Sequence, residues 1–257
     1  MTGRAFTKPY VTATGRMAAQ RNHEWLVRHA GPMVLPAITS VRSKELTFEW
    51  VDGRYAEPHD LELLAEHLGE SHGTAWHSSL HKARLATAYV SDGHVLPGFV
   101  GVRAAVLCRR YRAGHIATAR ALDDALARVH QAAGRPAAFY KDTNPRNILI
   151  TPSGRPVTVD TDDLSLAPFG YDLAKLVVTL SMTHGPLPAD RIGRALTAYN
   201  AAATTHHPHL GHTTLAQLLD YADLHGVFTA PYIGRGGYRW PWTHVRPTST
   251  PRRRTCT

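Results

Sequence analysis

Three oxygen-bearing side chains stand at short intervals in the middle of the chain. Asn147 follows Asp142 by five residues, and Asp160 comes thirteen residues later. A carboxylate beside an acceptor hydroxyl can take up its proton, while an amide oxygen and a second carboxylate can hold the Mg²⁺ that neutralises nucleotide phosphates. The three residues therefore predict a site for phosphoryl transfer.

Two short strands would bring these residues together. Residues 147–151 and 157–160 are apolar runs of strand length, and Pro152-Ser153-Gly154 between them is a turn sequence. Periodic apolar patterns predict helices before and after this hairpin, at residues 117–133, 172–181, 191–203 and 214–223. The hairpin is therefore predicted to lie within a mostly helical region.

The first part of the chain has a different pattern. A helix is predicted from Thr14 to His29, and strand-like runs occupy residues 1–10, 34–38 and 46–51. A further helix is predicted from Leu61 to Gly69 or His72, and residues 73–98 are predicted to be mostly loop. A small strand-rich lobe before a helical lobe indicates an α+β, kinase-like bilobal fold.

We divide the chain accordingly into three parts. Residues 1–55 are predicted to form a small, truncated N-terminal lobe and hinge for a nucleotide. Residues 56–245 form the helical catalytic lobe, and residues 246–257 form a disordered basic tail that contains Arg252-Arg253-Arg254.

Composition and charge limit the classes of partner that we expect for this protein. No segment has a signal-peptide pattern, and the apolar run from Leu173 to Met182 is interrupted by Lys175, so we expect a cytoplasmic protein with no membrane partner. The net charge of +9 raises nucleic acid as a partner, but the charge is scattered and lacks a basic-aromatic stripe. A nucleic-acid-binding module is therefore the least favoured interpretation.

The central motifs resemble those of the aminoglycoside phosphotransferase and choline kinase family, which has a protein-kinase-like fold. That family has His-Gly-Asp-Leu-His-Pro-Gly-Asn-Ile-Leu, then a strand ending Ile-Asp-Phe-Gly, then Tyr-Asp-Leu-Ala. The matching segments here are Tyr140-Lys141-Asp142-Thr143-Asn144-Pro145-Arg146-Asn147-Ile148-Leu149, Val159-Asp160-Thr161-Asp162 and Tyr171-Asp172-Leu173-Ala174. Four polar positions in register make the resemblance specific.

The resemblance implies a role for each matching residue. Asp142 would be the catalytic carboxylate, Asn147 and Asp160 would bind Mg²⁺, and Asp172 would brace the catalytic loop through backbone N–H groups. In the first lobe, Lys8 would hold the ATP phosphates and pair with Glu24. The backbone of Glu49, Trp50 and Val51 would face the adenine edge. The implied cofactors are ATP and Mg²⁺, and the implied partner is a small molecule with an acceptor hydroxyl.

Departures from the family pattern support an alternative to an active kinase. The family's His and its two Gly residues are replaced here by Tyr140, Lys141 and Arg146. Lys141 is therefore an auxiliary candidate near the γ-phosphate. Asp162, which stands where the family has Gly, is an auxiliary candidate near the metal. Only seven residues precede Lys8, too few for the two strands and the glycine-rich loop that cover the phosphates in the family. The competing interpretation is a catalytically impaired pseudokinase that acts as a binding protein.

The charge of the last third of the chain bears on the acceptor. From Asp172 onward there are nine Lys or Arg residues but only four acidic residues, Asp172, Asp190, Asp220 and Asp223. A polycationic aminoglycoside needs clustered carboxylates around it. The sequence therefore favours a neutral or anionic acceptor.

Overall fold

The first sheet is antiparallel and has three strands. A computed structural model describes residues 4–247 of the chain. In it, β1 (Ala5–Pro9), β2 (Ile38–Arg42) and β3 (Glu45–Glu49) pair in the order β1-β3-β2, with Lys8 opposite Leu46. The predicted strand at 34–38 begins only at Ile38, because Pro36 has no N–H to donate to a ladder.

Helix α1 (Ala13–His29) packs on this sheet and also reaches the second lobe. The Thr12 hydroxyl caps its first turn by accepting from the Gly15 N–H at 3.0 Å. Ala19 packs with Leu46 and Phe48 in a small separate core, whereas Trp25 and Leu26 belong to the main core. Helix α1 therefore links the two cores.

A second sheet connects the hinge to the predicted hairpin. Strand β4 (Arg54–Tyr55) pairs with β8 (Ile148–Ile150), which pairs with β9 (Pro156–Thr158), all antiparallel. The predicted lobe boundary at residue 55 thus falls in a strand that hydrogen-bonds to the site hairpin.

Helices make up most of the second lobe. They are α2 (Leu61–Ser78), α3 (Phe99–Arg112), α4 (Ala119–Ala132), α5 (Tyr171–His184), α6 (Ala189–Thr204), α7 (Leu215–Thr229) and the short α8 (Trp242–Val245). Helix α5 is buried on nearly every side and forms the centre of the main core. None of the helices in residues 4–247 is both long enough and apolar enough to span a membrane.

Residues 73–98 contain more regular structure than predicted. Helix α2 continues through Gly69 and Gly73 to Ser78, and β5 (Tyr89–Ser91) forms a hairpin with β6 (His94–Leu96). A Cβ atom at Gly69 would collide with the carbonyl of Tyr199 on α6, and one at Gly73 would collide with the ring of His206. These glycines allow close helix packing and do not end the helix.

Two further strands flank the candidate site. Strand β7 (Ala137–Tyr140) pairs antiparallel with β10 (Ser165–Pro168), placing Tyr140 opposite Ser165. Arg246, the first residue of the predicted tail, forms an ion pair with Asp223 of α7 at 2.8 Å. Residues 248–257 of that predicted tail lie outside the described residues.

Candidate active site

Asp142 lies two residues after β7 and has a left-handed backbone, with φ of 56°. Its Oδ1 atom accepts from the Tyr140 hydroxyl at 2.8 Å and from Lys175 Nζ at 3.1 Å. Burial alone would raise the pKa of Asp142, but Lys175 and the Tyr140 hydroxyl outweigh burial and hold the pKa below its usual value. Asp142 is therefore an oriented, ionised carboxylate.

Asp172 holds the backbone on both sides of Asp142. It is fully buried at the start of α5, and its two oxygens accept from the N–H groups of Lys141 at 3.1 Å and Thr143 at 3.2 Å. Because the pair of bonds fixes both neighbours, Asp172 braces the loop that carries Asp142.

Asn147 is the last residue of a short 3-10 turn before β8. Its Nδ2 donates to the carbonyl of Asp142 at 3.1 Å, and its own carbonyl accepts from the Val159 N–H at 2.8 Å. Within the described residues, its Oδ1 accepts no hydrogen bond. The amide oxygen is thus left as a free oxygen donor beside Asp160.

Asp160 also has a left-handed backbone, with φ of 69°. Lys8 Nζ lies 2.9 Å from Asp160 Oδ1 and 2.7 Å from Asp162 Oδ2, so one ammonium bridges two carboxylates. Burial would lower the pKa of Lys8, but the two carboxylates outweigh burial and raise it. Burial would raise the pKa of Asp160, but Lys8 outweighs burial and lowers it. The predicted residues Lys8, Asp160 and Asp162 are therefore brought together.

The donor set fits Mg²⁺. Asn147, Asp160 and Asp162 supply only hard oxygen donors, and Mg²⁺ is usually bound by one or two carboxylates together with substrate phosphates. Between residues 4 and 247 no group of three or more His, Cys, Asp or Glu side chains is arranged as a complete metal site. These residues would hold a metal only together with ligands from outside the chain, such as phosphate oxygens and water.

Glu24 does not pair with Lys8 as predicted. Glu24 is exposed and accepts from Gln20 at 2.9 Å, whereas Lys8 reaches across to the carboxylates after β9. The α1 residue that contacts the loop after β9 is the buried Asn22, whose Nδ2 donates to the carbonyls of Thr161 at 2.8 Å and Asp162 at 3.0 Å. Two residues correspond to about 200° around a helix, so Glu24 and Asn22 lie on opposite faces.

Two cavities meet near these residues. The first has a volume of about 580 Å³ and lies between the two sheets. Its lining includes the hinge residues Glu49, Trp50 and Val51 together with Lys8, Asn147 and Asp160. The N–H and C=O groups of Val51 form no hydrogen bond with any described residue, so a hinge donor and acceptor are free.

The second cavity has a volume of about 520 Å³ and lies against α3 and the end of α7. Asp142, Tyr140 and Lys175 line it, and Arg146 lines both cavities. The hinge residues Glu49, Trp50 and Val51 line only the first cavity. Both volumes are in the range of small-molecule sites.

A family model supplies the observation that decides the classification. The model of the phosphotransferase enzyme family matches residues 44–205, which is more than half of the chain and includes the segment from Asp142 to Asp172. The chain belongs to the phosphotransferase enzyme family. The resemblance seen in the sequence is thereby confirmed, and the protein is a small-molecule phosphotransferase by family. No curated protein matches the sequence significantly.

Solved structures show the fold. A macrolide 2'-phosphotransferase, MphH from Brachybacterium faecium, is 14% identical with a TM-score of 0.59 over 96% of this chain and 86% of its own. A choline/ethanolamine kinase family protein from Mesorhizobium loti is 15% identical with a TM-score of 0.58, over 89% and 72%. Amicoumacin kinase hAmiN, in complex with AMP-PNP, Ca²⁺ and Ami, is 15% identical with a TM-score of 0.52, over 87% and 71%. The predicted α+β, kinase-like fold is confirmed.

In this phosphotransferase Lys141, the auxiliary candidate near the γ-phosphate, is not the lysine that contacts Asp142. Lys141 is buried and donates to the Val159 carbonyl at 3.0 Å, and it lines neither of the two cavities described above. Burial lowers the pKa of Lys141 to about 8. Lys175 contacts Asp142 instead, and the available signal was a single charged residue within the apolar run 173–182.

Proposed function

We propose that this phosphotransferase moves the γ-phosphoryl group of ATP to a hydroxyl group of a small molecule. The observation that carries the proposal is the position of Asp142, which lies where the second cavity approaches the oxygen donors of the first. Asp142 Oδ1 is bound by Tyr140 and Lys175, while its Oδ2 has no hydrogen-bond partner among the described residues. The free oxygen can accept a proton from an acceptor hydroxyl.

The first cavity is assigned to the nucleotide. The free N–H and C=O groups of Val51 can pair with the edge of adenine, and Phe48 and Leu149 supply apolar contact. Lys8 would bind phosphate oxygens as a cation, and Asn147 and Asp160 would hold Mg²⁺. When bound, the metal supplies charge neutralisation for the β- and γ-phosphates.

Each residue around Asp142 has a separate role in the transfer step. Asp172 and the left-handed backbone orient the carboxylate, and Lys175 keeps it ionised. The acceptor oxygen forms its bond to the γ-phosphorus as the bond from phosphorus to the ADP oxygen breaks, and the hydroxyl proton passes to Asp142.

Substitution Asp142→Asn tests this function. The amide cannot accept the proton, so we expect the rate of ADP formation with the best acceptor from a panel of hydroxylated small molecules to fall about 10²- to 10⁴-fold. Binding of ATP with Mg²⁺ should persist, measured as a thermal shift equivalent to about 2.7 kcal/mol at 100 times the dissociation constant. The surface variant Asp124→Asn on α4 is the control, and undiminished transfer by Asp142→Asn would refute the assignment.

A catalytically impaired binding protein is the second candidate function. It is favoured by the Lys8 ammonium, which already neutralises Asp160 and Asp162 and so competes with a metal for the same oxygens. Thermal shifts with ATP separate the two functions. A shift that does not depend on Mg²⁺, together with no transfer to any member of the acceptor panel, supports the binding protein.

A further inference from the structure

Helix α3 presents two arginines to the second cavity. Arg103 and Arg110 are seven residues apart, which places them on one face of the helix about 10 Å from each other along its axis. Both side chains line the cavity that contains Asp142. Their contacts decide whether they are structural or free to bind a ligand.

Arg103 is half-buried, and its guanidinium packs among aromatic rings. It lies 4.4 Å from the centroid of Tyr140 and 5.4 Å from that of Tyr171, and its Nη2 donates to Ser165 Oγ at 3.3 Å. Its Nε is buried without a hydrogen-bond partner. Arg103 forms no ion pair with any carboxylate in residues 4–247.

Arg110 repeats this pattern two turns later. Its Nη2 donates to the Phe228 carbonyl at 3.0 Å, and the guanidinium lies 5.9 Å from the ring centroid of Tyr232. Its Nε is also buried without a partner, and no described carboxylate pairs with it. Each of these two half-buried arginines thus keeps one buried Nε–H donor that the folded chain does not satisfy, and neither guanidinium charge is balanced by a described carboxylate.

The cavity as a whole is positively charged. Its lining contains five basic side chains, Arg103, Arg110, Arg146, Lys175 and Arg235, but only two acidic ones, Asp142 and Asp163. Asp142 is already paired with Lys175. A cationic acceptor would meet uncompensated positive charge here.

The acidic residues of the last third of the chain do not change this balance. Asp190 pairs with Arg194 at 2.8 Å, Asp220 with Arg128 at 3.4 Å, and Asp223 with Arg246 at 2.8 Å. Asp172 is committed to backbone N–H groups. All four therefore have partners inside the protein.

We propose that the acceptor is a hydroxylated small molecule that carries a carboxylate or a phosphate group, which Arg103 and Arg110 bind while its hydroxyl lies at Asp142. Arginine suits such a group because its planar donors pair with two oxygens at once. The anionic group takes no part in bond making, since the hydroxyl oxygen alone attacks phosphorus. The inference rests on the proposed function for the role of Asp142.

Four hexoses that differ mainly in charge test the inference. Glucuronate carries a carboxylate, glucose 6-phosphate a phosphate, glucose no charge and glucosamine an ammonium. Each is titrated by calorimetry against the full chain. We expect at least one anion to bind about tenfold or more tightly than glucosamine, which corresponds to about 1.4 kcal/mol, with glucose between them. Whichever anion binds more tightly shows whether the acceptor carries a carboxylate or a phosphate group.

Matched variants assign this preference to the cavity. Arg110→Met should remove most of the preference for the anion, whereas Arg109→Met, which alters an exposed arginine on the same helix, should keep it. Arg110→Gln replaces Arg110→Met if the latter does not show a wild-type melting transition. Equal loss in the Arg109 and Arg110 variants would refute the site.

Two other outcomes overturn the inference. One is glucosamine binding as tightly as the anions, and the other is no measurable binding of either anion at about 10 mM. Thermal shifts with ATP and Mg²⁺ on the same samples are independent of these titrations. Failure of the ATP shift alone counts against the proposed function, while failure of the anion preference alone counts against the acceptor class.

Discussion

Asp142 and Asp160 share an uncommon backbone conformation. Residues other than glycine rarely adopt positive φ, and such strain persists only where neighbouring contacts hold it. Asp172 holds the N–H groups around Asp142, and the Asp162 N–H donates to Asp160 Oδ1 at 3.1 Å. The direction of each carboxylate is therefore set by its loop as much as by its side chain.

Lys175 is expected to act by positioning and charging Asp142. Its ammonium lies 3.1 Å from the carboxylate and lowers the pKa of Asp142. Asp142 acts as an anion, so activity is lost as the pH falls through its pKa. Lys175→Met should raise that pKa and move the acid limb of the pH profile of kcat to higher pH. Misplacement of the carboxylate should also lower kcat roughly 10- to 100-fold.

The control for Lys175 is Lys82→Met, which removes an exposed lysine. Its pH profile should coincide with that of the unmodified protein. A Lys175→Met enzyme with reduced kcat but an unmoved acid limb would contradict the charge role and leave only a packing role.

At the scale of elements, strongly periodic helices were predicted closely. The patterns at 117–133 and 191–203 correspond to Ala119–Ala132 and Ala189–Thr204. Helix α3 escaped prediction because it buries only Phe99 and Leu107 and carries arginines elsewhere. Strand β10 has four residues that are all buried, so it shows no alternation of apolar and polar residues.

The proximity of the candidate residues was predictable where it depends on spacing along the chain around one hairpin. Asp142, Asn147 and Asp160 lie together because β8 and β9 return the chain antiparallel. The partner of Lys8 was not predictable, since it depends on which face of α1 packs against the loop after β9. That packing buries Asn22 and exposes Glu24.

A pair of substitutions in the first lobe tests this arrangement. Lys8→Met should weaken ATP binding about tenfold or more, because a charge-assisted contact to phosphate is lost. Glu24→Gln should leave the affinity unchanged, because Glu24 contacts Gln20 and not Lys8. Calorimetric titration with ATP and Mg²⁺ measures both. Equal weakening in the two variants would support the original Lys8–Glu24 pair.

At the scale of the whole molecule, the core of the second lobe contains an uncharged histidine. His72 of α2 is fully buried, and its ring lies edge-on to Phe139 with centroids 4.5 Å apart. Its Nδ1 lies 2.8 Å from the Tyr199 hydroxyl, which also accepts from the Gly170 N–H at the start of α5. Its Nε2 is 3.9 Å from Asp172, beyond hydrogen-bond distance.

Burial of this ring should make the fold sensitive to acid. Burial lowers the pKa of His72 from 6.5 to about 3. Between these values the unfolded chain binds a proton that the folded chain excludes, so the free energy of unfolding falls as the pH falls. The contribution of His72 is about 1.4 kcal/mol for each pH unit within that window.

Replacement His72→Phe separates the contribution of His72 from the contributions of other groups that titrate in the same pH range. The variant should lose about 1 kcal/mol at pH 7, because the contact with Tyr199 is broken. Its stability should then fall less steeply than that of the unmodified protein between pH 6.5 and 3, measured by urea unfolding at a series of pH values. His77→Phe, which removes an exposed imidazole from the same helix, is the control. Parallel pH curves for His72→Phe and the unmodified protein would mean that the folded core accepts the proton. In that case His72 would be free to pair with Asp172, and the brace of the catalytic loop would itself change with pH.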